Sequence, residues 1–125
     1  MLKYLNGKII QSAIPNENTL VIKLVGDNVD QGKPLSTNFQ TILSEYHKYI
    51  TAICFIGGED DQQELTELFK LIHKNGLKTC LSTYMTEMSQ LNLNLIKELD
   101  YLQLGKGMLK KDYSPFGDVE DWINI

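Results

Sequence analysis

The spacing of apolar and polar positions changes several times along the chain, and each change marks an element. Lys8-Ile9-Ile10-Gln11 and Thr19-Leu20-Val21-Ile22-Lys23-Leu24-Val25 are short runs rich in β-branched residues, a composition that favours strands. Pro15-Asn16-Glu17-Asn18 between them has turn chemistry, so the two runs predict an N-terminal β-hairpin. After the polar stretch 26–34 the period lengthens. Phe39, Ile42, Leu43 and Tyr46 recur at helical spacing behind Ser36, a residue able to cap a helix. Residues 50–56 read as a continuous apolar strand, and Gly57-Gly58-Glu59 turns the chain into a second helix. That helix buries Leu65, Leu68, Phe69 and Ile72 and ends at Asn75-Gly76, in the manner of a left-handed cap. Lys78 to Leu81 is a further strand, ending in Ser82-Thr83. A third helix is predicted from Thr86, with Met88, Leu91, Leu95, Ile96 and Leu99 on one stripe. Residues 100–104 return as a strand before Gly105-Lys106-Gly107. From Met108 the pattern dissolves, although Trp122, Ile123 and Ile125 can dock a short terminal strand.

Strand, helix, strand, helix, strand with short loops is the order of right-handed βαβ units. The expectation is therefore an α/β fold, a parallel sheet with helices on its outer face, in a single domain over 1–125. Ligands of such sheets bind beyond the carboxyl ends of the strands. Loops 26–30, 57–61 and 82–84 meet at that edge.

Composition narrows the function classes. At 125 residues the chain is long enough for one core. The apolar fraction of 42% suits a soluble globular protein. No apolar run reaches the roughly 18 residues of a membrane span, and the start Met1-Leu2-Lys3-Tyr4 does not read as a signal peptide. A cytoplasmic protein with no membrane partner is expected. A net charge of -4 argues against nucleic acid. All 12 basic residues are lysine, so any anion must be met by ammonium or backbone N–H groups rather than by a guanidinium fork. The two cysteines, Cys54 and Cys80, each fall inside a strand and read as buried free thiols.

Candidate chemistry concentrates in Phe55-Ile56-Gly57-Gly58-Glu59-Asp60-Asp61-Gln62. Glycines there admit either a tight strand-to-helix turn or the close approach of a ligand. Asp60 and Asp61 suit a helix N-terminus. Asp27, Asp30, Glu59, Asp60 and Asp61 read as a solvated acidic rim, with divalent-cation binding as the sharper alternative. His47 and His73 lie near helix C-termini with no carboxylate or cysteine at a catalytic spacing, which favours a surface or dipole role. Gly105-Lys106-Gly107 lacks the spacing of a phosphate-binding loop. Tyr46, Tyr49, Leu71 and Trp122 either pack the domain or mark a docking surface.

The run from Gly32 to Met85, followed by Leu99-Asp100-Tyr101-Leu102-Gln103-Leu104-Gly105-Lys106-Gly107, resembles the radical S-adenosylmethionine activating enzyme of anaerobic ribonucleotide reductase. The shared features are a strand ending in Gly-Gly-Glu, a helix ending in Asn-Gly-Leu-Lys-Thr, and a strand reading Asp-Tyr-Leu before glycines. The resemblance extends over roughly Tyr4 to Gly107. It implies a partial (βα) barrel. Gly57, Gly58 and Glu59 would line the methionine end of S-adenosylmethionine, and Ser82 and Thr83 would lie near its ribose. It also implies a large glycyl-radical reductase as partner.

The same comparison exposes a departure. The family holds a 4Fe-4S cluster on C-x3-C-x2-C, whereas the loop here reads Val25-Gly26-Asp27-Asn28-Val29-Asp30-Gln31-Gly32-Lys33-Pro34-Leu35. Asp27 stands in the place of the first cysteine and the other two are missing. No cluster is expected, and no resident cofactor, with S-adenosylmethionine as a candidate ligand. Three readings stay open: a non-catalytic, cluster-less relative with a scaffold or partner-binding role; a binding module for S-adenosylmethionine or an adenosine-type ligand; and an engineered minimal scaffold with the cluster loop removed. Unpaired sheet edges also leave room for an oligomer.

Overall fold

In a computed structural model of the protein, the residues described are 1–11, 17–25, 31–105 and 122–124. Strand β1 (Lys3–Gln11) runs antiparallel to β2 (Asn18–Val25), and the pairing from Lys3↔Val25 to Gln11↔Asn18 is the predicted hairpin. The two-residue strand β3 (Lys33–Pro34) adds to the outer side of β1. There follow helix α1 (Leu35–Tyr46), strand β4 (Ala52–Ile56), helix α2 (Gln62–Lys74) and strand β5 (Lys78–Ser82). A short helix α3 (Leu93–Ile96), strand β6 (Tyr101–Gln103) and strand β7 (Trp122–Asn124) complete the order.

Among the described residues, one sheet contains the seven strands in the order β3-β1-β2-β4-β5-β6-β7. β2, β4, β5 and β6 are mutually parallel, as the βαβ reading expects. The sheet as a whole is mixed, because β1 and β7 pair antiparallel at its flanks. Residues 12–17 are too few for a parallel crossover, so β1 has to return beside β2 in the opposite sense.

Strand alternation sorts the interior into two clusters. Leu20, Ile22, Leu24, Ile53, Phe55, Leu81 and Leu102 pack with residues of all three helices. Phe55 is their centre, with its ring 5.9 Å from that of Phe39 on α1 and 5.3 Å from that of Phe69 on α2. The second cluster consists of strand residues alone: Val21, Ala52, Cys54, Ile56 and Cys80, with Tyr101 against them. Cys54 and Cys80 are register partners across β4 and β5, and both are buried and free. Burial, then the neighbouring Cys54, pushes the Cys80 thiol well above its ordinary range. That environment suppresses thiolate chemistry.

Helix ends depart from the pattern in two places. α1 begins at Leu35 rather than behind Ser36, with Pro34 before it and no side-chain cap. The fully buried Leu35 fixes the entry, and its N–H donates to the carbonyl of Leu2 (3.0 Å). The third helix, predicted as one element from Thr86, is a 3₁₀ turn (Met88–Gln90) and the four-residue α3, separated by extended backbone at Leu91 and Asn92. Asn and Ser are weak helix formers, and the Gln62 side chain holds the break by accepting the Asn92 N–H (2.7 Å). Leu91, Leu95 and Leu99 are nevertheless buried, so the apolar stripe was real although the helix is not continuous.

The end of α2 follows expectation. Gly76 has φ 76°, its N–H donates to His73 (2.9 Å), and the Leu77 N–H reaches back to Ile72 (3.2 Å), as in a Schellman cap. At the start of α2, the Asp61 carboxylate accepts the N–H of Glu64 (3.1 Å). Asp61→Ala is expected to cost about 1 kcal/mol in urea denaturation, the usual worth of an N-cap. Asn at this position should recover most of the loss.

His47 places Nε2 2.9 Å from the carbonyl oxygen of Asn75 and ties the ends of α1 and α2 together. His73, read from sequence as a surface or dipole residue, sits between the carboxylates of Glu98 and Asp100. Those acids are distant in the chain and reach it only through the fold. Tyr49 and Leu71 are exposed, Tyr46 packs against the core, and the side chain of Trp122 lies outside the described set. No helix among the described residues is long and apolar enough to cross a membrane.

Candidate functional site

Parallel pairing places the carboxyl ends of β4, β5 and β6 in line. Ile56 is the register partner of Ser82, and Ser82 of Gln103. Beyond the strands the ladder continues for one step. The Gly57 N–H donates to Ser82 (3.0 Å), and the Thr83 N–H to Gln103 (2.9 Å). Gly57, Gly58, Glu59, Ser82 and Thr83, singled out from sequence, are thus brought to one edge. Loop 26–30, expected at the same edge, lies outside the described residues, and with it Asp27, Asn28 and Asp30. Lys106, Gly107 and Ile125 lie outside them as well.

Both glycines are left-handed, with φ 84° at Gly57 and 89° at Gly58. A side chain at Gly58 would meet the protein itself. Its Cβ would stand 2.7 Å from Cδ1 of Leu24 and 3.2 Å from Cδ2 of Leu65. Both leucines are buried in the core. The space that glycine leaves open at this position is therefore filled by the protein's own side chains.

Glu59 is 5% exposed. Its Oε2 accepts the hydroxyl proton of Thr83 in a short hydrogen bond and the backbone N–H of Tyr84 (3.1 Å). The Thr83 hydroxyl oxygen in turn accepts the N–H of Met85 (3.1 Å). A polar group this buried needs such hydrogen-bond partners in place of water. The result is a brace that fastens the turn after β5 to the turn after β4. Beside it, the Ser82 hydroxyl donates to Oε1 of Gln103 (2.7 Å), with both residues fully buried. Partial burial and then the charges of Asp60 and Glu59 raise the Tyr84 phenol above its ordinary pKa, which keeps it neutral.

Tyr84, Gln103 and Leu24 were not singled out from the sequence. Alternation along β6 was the available signal for Gln103, since a polar residue two positions after Tyr101 must share a face with it and neighbour Ser82. The Tyr84 contribution is a backbone N–H and has no side-chain signature.

Among the described residues, the three acids of the expected rim take separate roles. Glu59 is taken up by Thr83 and Tyr84, Asp61 caps α2 and lies 3.8 Å from the N-terminal ammonium, and Asp60 is exposed. Among the described residues no group of three or more His, Cys, Asp or Glu side chains is arranged to hold a metal ion. An iron–sulfur cluster of the activating-enzyme type does not fit this chain. It needs three thiolates on a loop, and the two cysteines present are buried side by side within strands.

These features define a mixed α/β domain whose strand-end polar residues bind one another. No family model matches the chain, no curated protein matches it, and no solved structure matches it.

Proposed function

We propose that this chain is a non-catalytic, cluster-less relative of the anaerobic ribonucleotide reductase activating protein. On this reading it keeps a half-barrel frame with helices on the outer face and acts by engaging a glycyl-radical reductase. The observation that carries the reading is the Glu59 brace. The carboxylate that would meet a cofactor's ammonium is instead buried against Thr83 and Tyr84. A chain with two cysteines also has too few thiolates to deliver an electron through a site-differentiated cluster. The four parallel inner strands with α1 and α2 between them are consistent with the proposed frame.

The test is anaerobic sedimentation of the purified protein with the catalytic subunit of an anaerobic ribonucleotide reductase, paired with electron paramagnetic resonance. Expected are saturable co-sedimentation and no glycyl-radical signal when S-adenosylmethionine and a reductant are added. A radical signal, or no association at tens of micromolar, would overturn the proposal.

A second reading is favoured by one observation. Ser82, Thr83, Gln103 and Glu59 place four polar side chains at a single strand edge. On that reading the edge accepts S-adenosylmethionine or an adenosine-type ligand, after the brace opens to admit it.

A further inference from the structure

His73 lies at the end of α2 with a carboxylate at each ring nitrogen. Nδ1 is 3.1 Å from Oε1 of Glu98, and Nε2 is 2.9 Å from Oδ2 of Asp100. Thr79 of β5 completes the group: its N–H donates to Oδ2 of Asp100 (2.9 Å), and its hydroxyl lies 3.3 Å from Nε2. Only an imidazolium can donate from both nitrogens at once. Glu98 and Asp100, from the corner between α3 and β6, are the charged groups acting on the ring, and Thr79 is the uncharged one.

We propose that His73, Glu98 and Asp100 form a proton-controlled latch between the end of α2 and the α3–β6 corner. It is closed while the imidazole carries both protons, and it opens at Glu98 when one is lost. The asymmetry follows from the contacts. Asp100 is anchored independently by Thr79, and Nε2 has the shorter partner, so the remaining proton stays there. Nδ1 then turns a lone pair toward Glu98, and that contact becomes repulsive. Glu98 follows the four-residue α3, where its N–H donates to Leu95 and the Leu99 N–H to Ile96 (3.0 Å each) and its carbonyl accepts the Thr79 hydroxyl, so His73 is the partner its side chain loses when the latch opens. Glu98 also lines a polar groove of about 430 Å³ between α2 and α3 that carries Lys70 and Lys97. Opening the latch adds an unpaired carboxylate to that wall.

The pH window follows from the signs. Partial burial disfavours the His73 cation, but the hydrogen bonds and charges of Asp100 and Glu98 outweigh it and hold its pKa above the ordinary 6.5. This contribution is complete below 6.5 and disappears as pH rises through the raised value. Burial likewise disfavours the Asp100 anion, but hydrogen bonds from Thr79 and His73 and the His73 charge bring its pKa below the ordinary 3.8. That side is lost only as pH falls through the lowered value. The latch is therefore closed in mild acid and opens toward alkaline pH.

The experiment is a nuclear magnetic resonance titration of the intact protein between about pH 5 and pH 9, bracketing the ordinary histidine value, with amide exchange followed alongside. The His73 ring proton should titrate with a midpoint above 6.5. Exchange at Glu98 and Leu99, corrected for its intrinsic pH dependence, should quicken about fivefold to tenfold over the same interval, the weight of one partly exposed hydrogen bond. His73→Gln should abolish that step. A midpoint at or below 6.5, or a step that persists in His73→Gln, overturns the latch. Should His73→Gln fail to fold, Glu98→Gln serves instead. It should lower the His73 midpoint, and an unchanged midpoint there also overturns the latch.

Discussion

Gly58→Ala is expected to destabilise the protein by about 3 kcal/mol, read as a lower urea midpoint at an unchanged slope. Two effects add. The backbone at Gly58 has φ 89°, a conformation that costs a residue bearing a Cβ about 1 kcal/mol or more. The added methyl would also lie 2.7 Å from Leu24, closer than real Cβ contacts come, and 3.2 Å from Leu65, a tight contact. Leu24 is 1% exposed and Leu65 is fully buried, so neither can swing into solvent to make room. Overpacking of this kind typically costs about 1–3 kcal/mol. Gly76 separates the two effects. It shares the left-handed backbone, at φ 76°, but nothing lies within 4 Å of the position a Cβ would take. Gly76→Ala should therefore cost only about 1 kcal/mol. Equal losses at the two positions would show that Gly58 is not packed against the core as described.

Glu59→Ala is expected to cost about 3 kcal/mol, because it removes a buried carboxylate that accepts from Thr83 and Tyr84. The hydroxyl and the N–H would be left without that partner at a position only 5% exposed. Glu59→Gln keeps an accepting oxygen and gives up the charge, so about 1 kcal/mol is expected. This ordering distinguishes a brace from a ligand group. A carboxylate held ready for a ligand is commonly costly to the free protein, and its removal would leave stability unchanged or improve it.

Much of the frame was legible in the sequence because it rests on burial. The apolar run 50–56 had to be an inner strand, and Leu65, Leu68, Phe69 and Ile72 had to face it. Asn75-Gly76 ended α2 as the local chemistry requires. The third helix was misread because Leu91, Leu95 and Leu99 satisfy a helical period while the chain between them is pinned open by Gln62. That hydrogen bond is a tertiary effect with no local trace. The meeting of Gly57 and Ser82 at one strand edge was legible, since parallel register brings them together. The character of that edge was not. Whether Glu59 faces a ligand or Thr83 depends on the path of the turn after β5, and whether Gly58 admits a ligand depends on Leu24, more than thirty residues earlier. The pairing of His73 with Glu98 and Asp100 was hidden for the same reason.

The most direct measurement is an anaerobic calorimetric titration of the wild-type protein with S-adenosylmethionine, run beside Glu59→Gln. With Glu59 engaged by Thr83 and Tyr84, and with the space beside Gly58 filled by Leu24, the expected result is no saturable heat from either protein. Saturable heat in the wild type that disappears in a folded Glu59→Gln variant would contradict it, and the strand edge would then be a working ligand site.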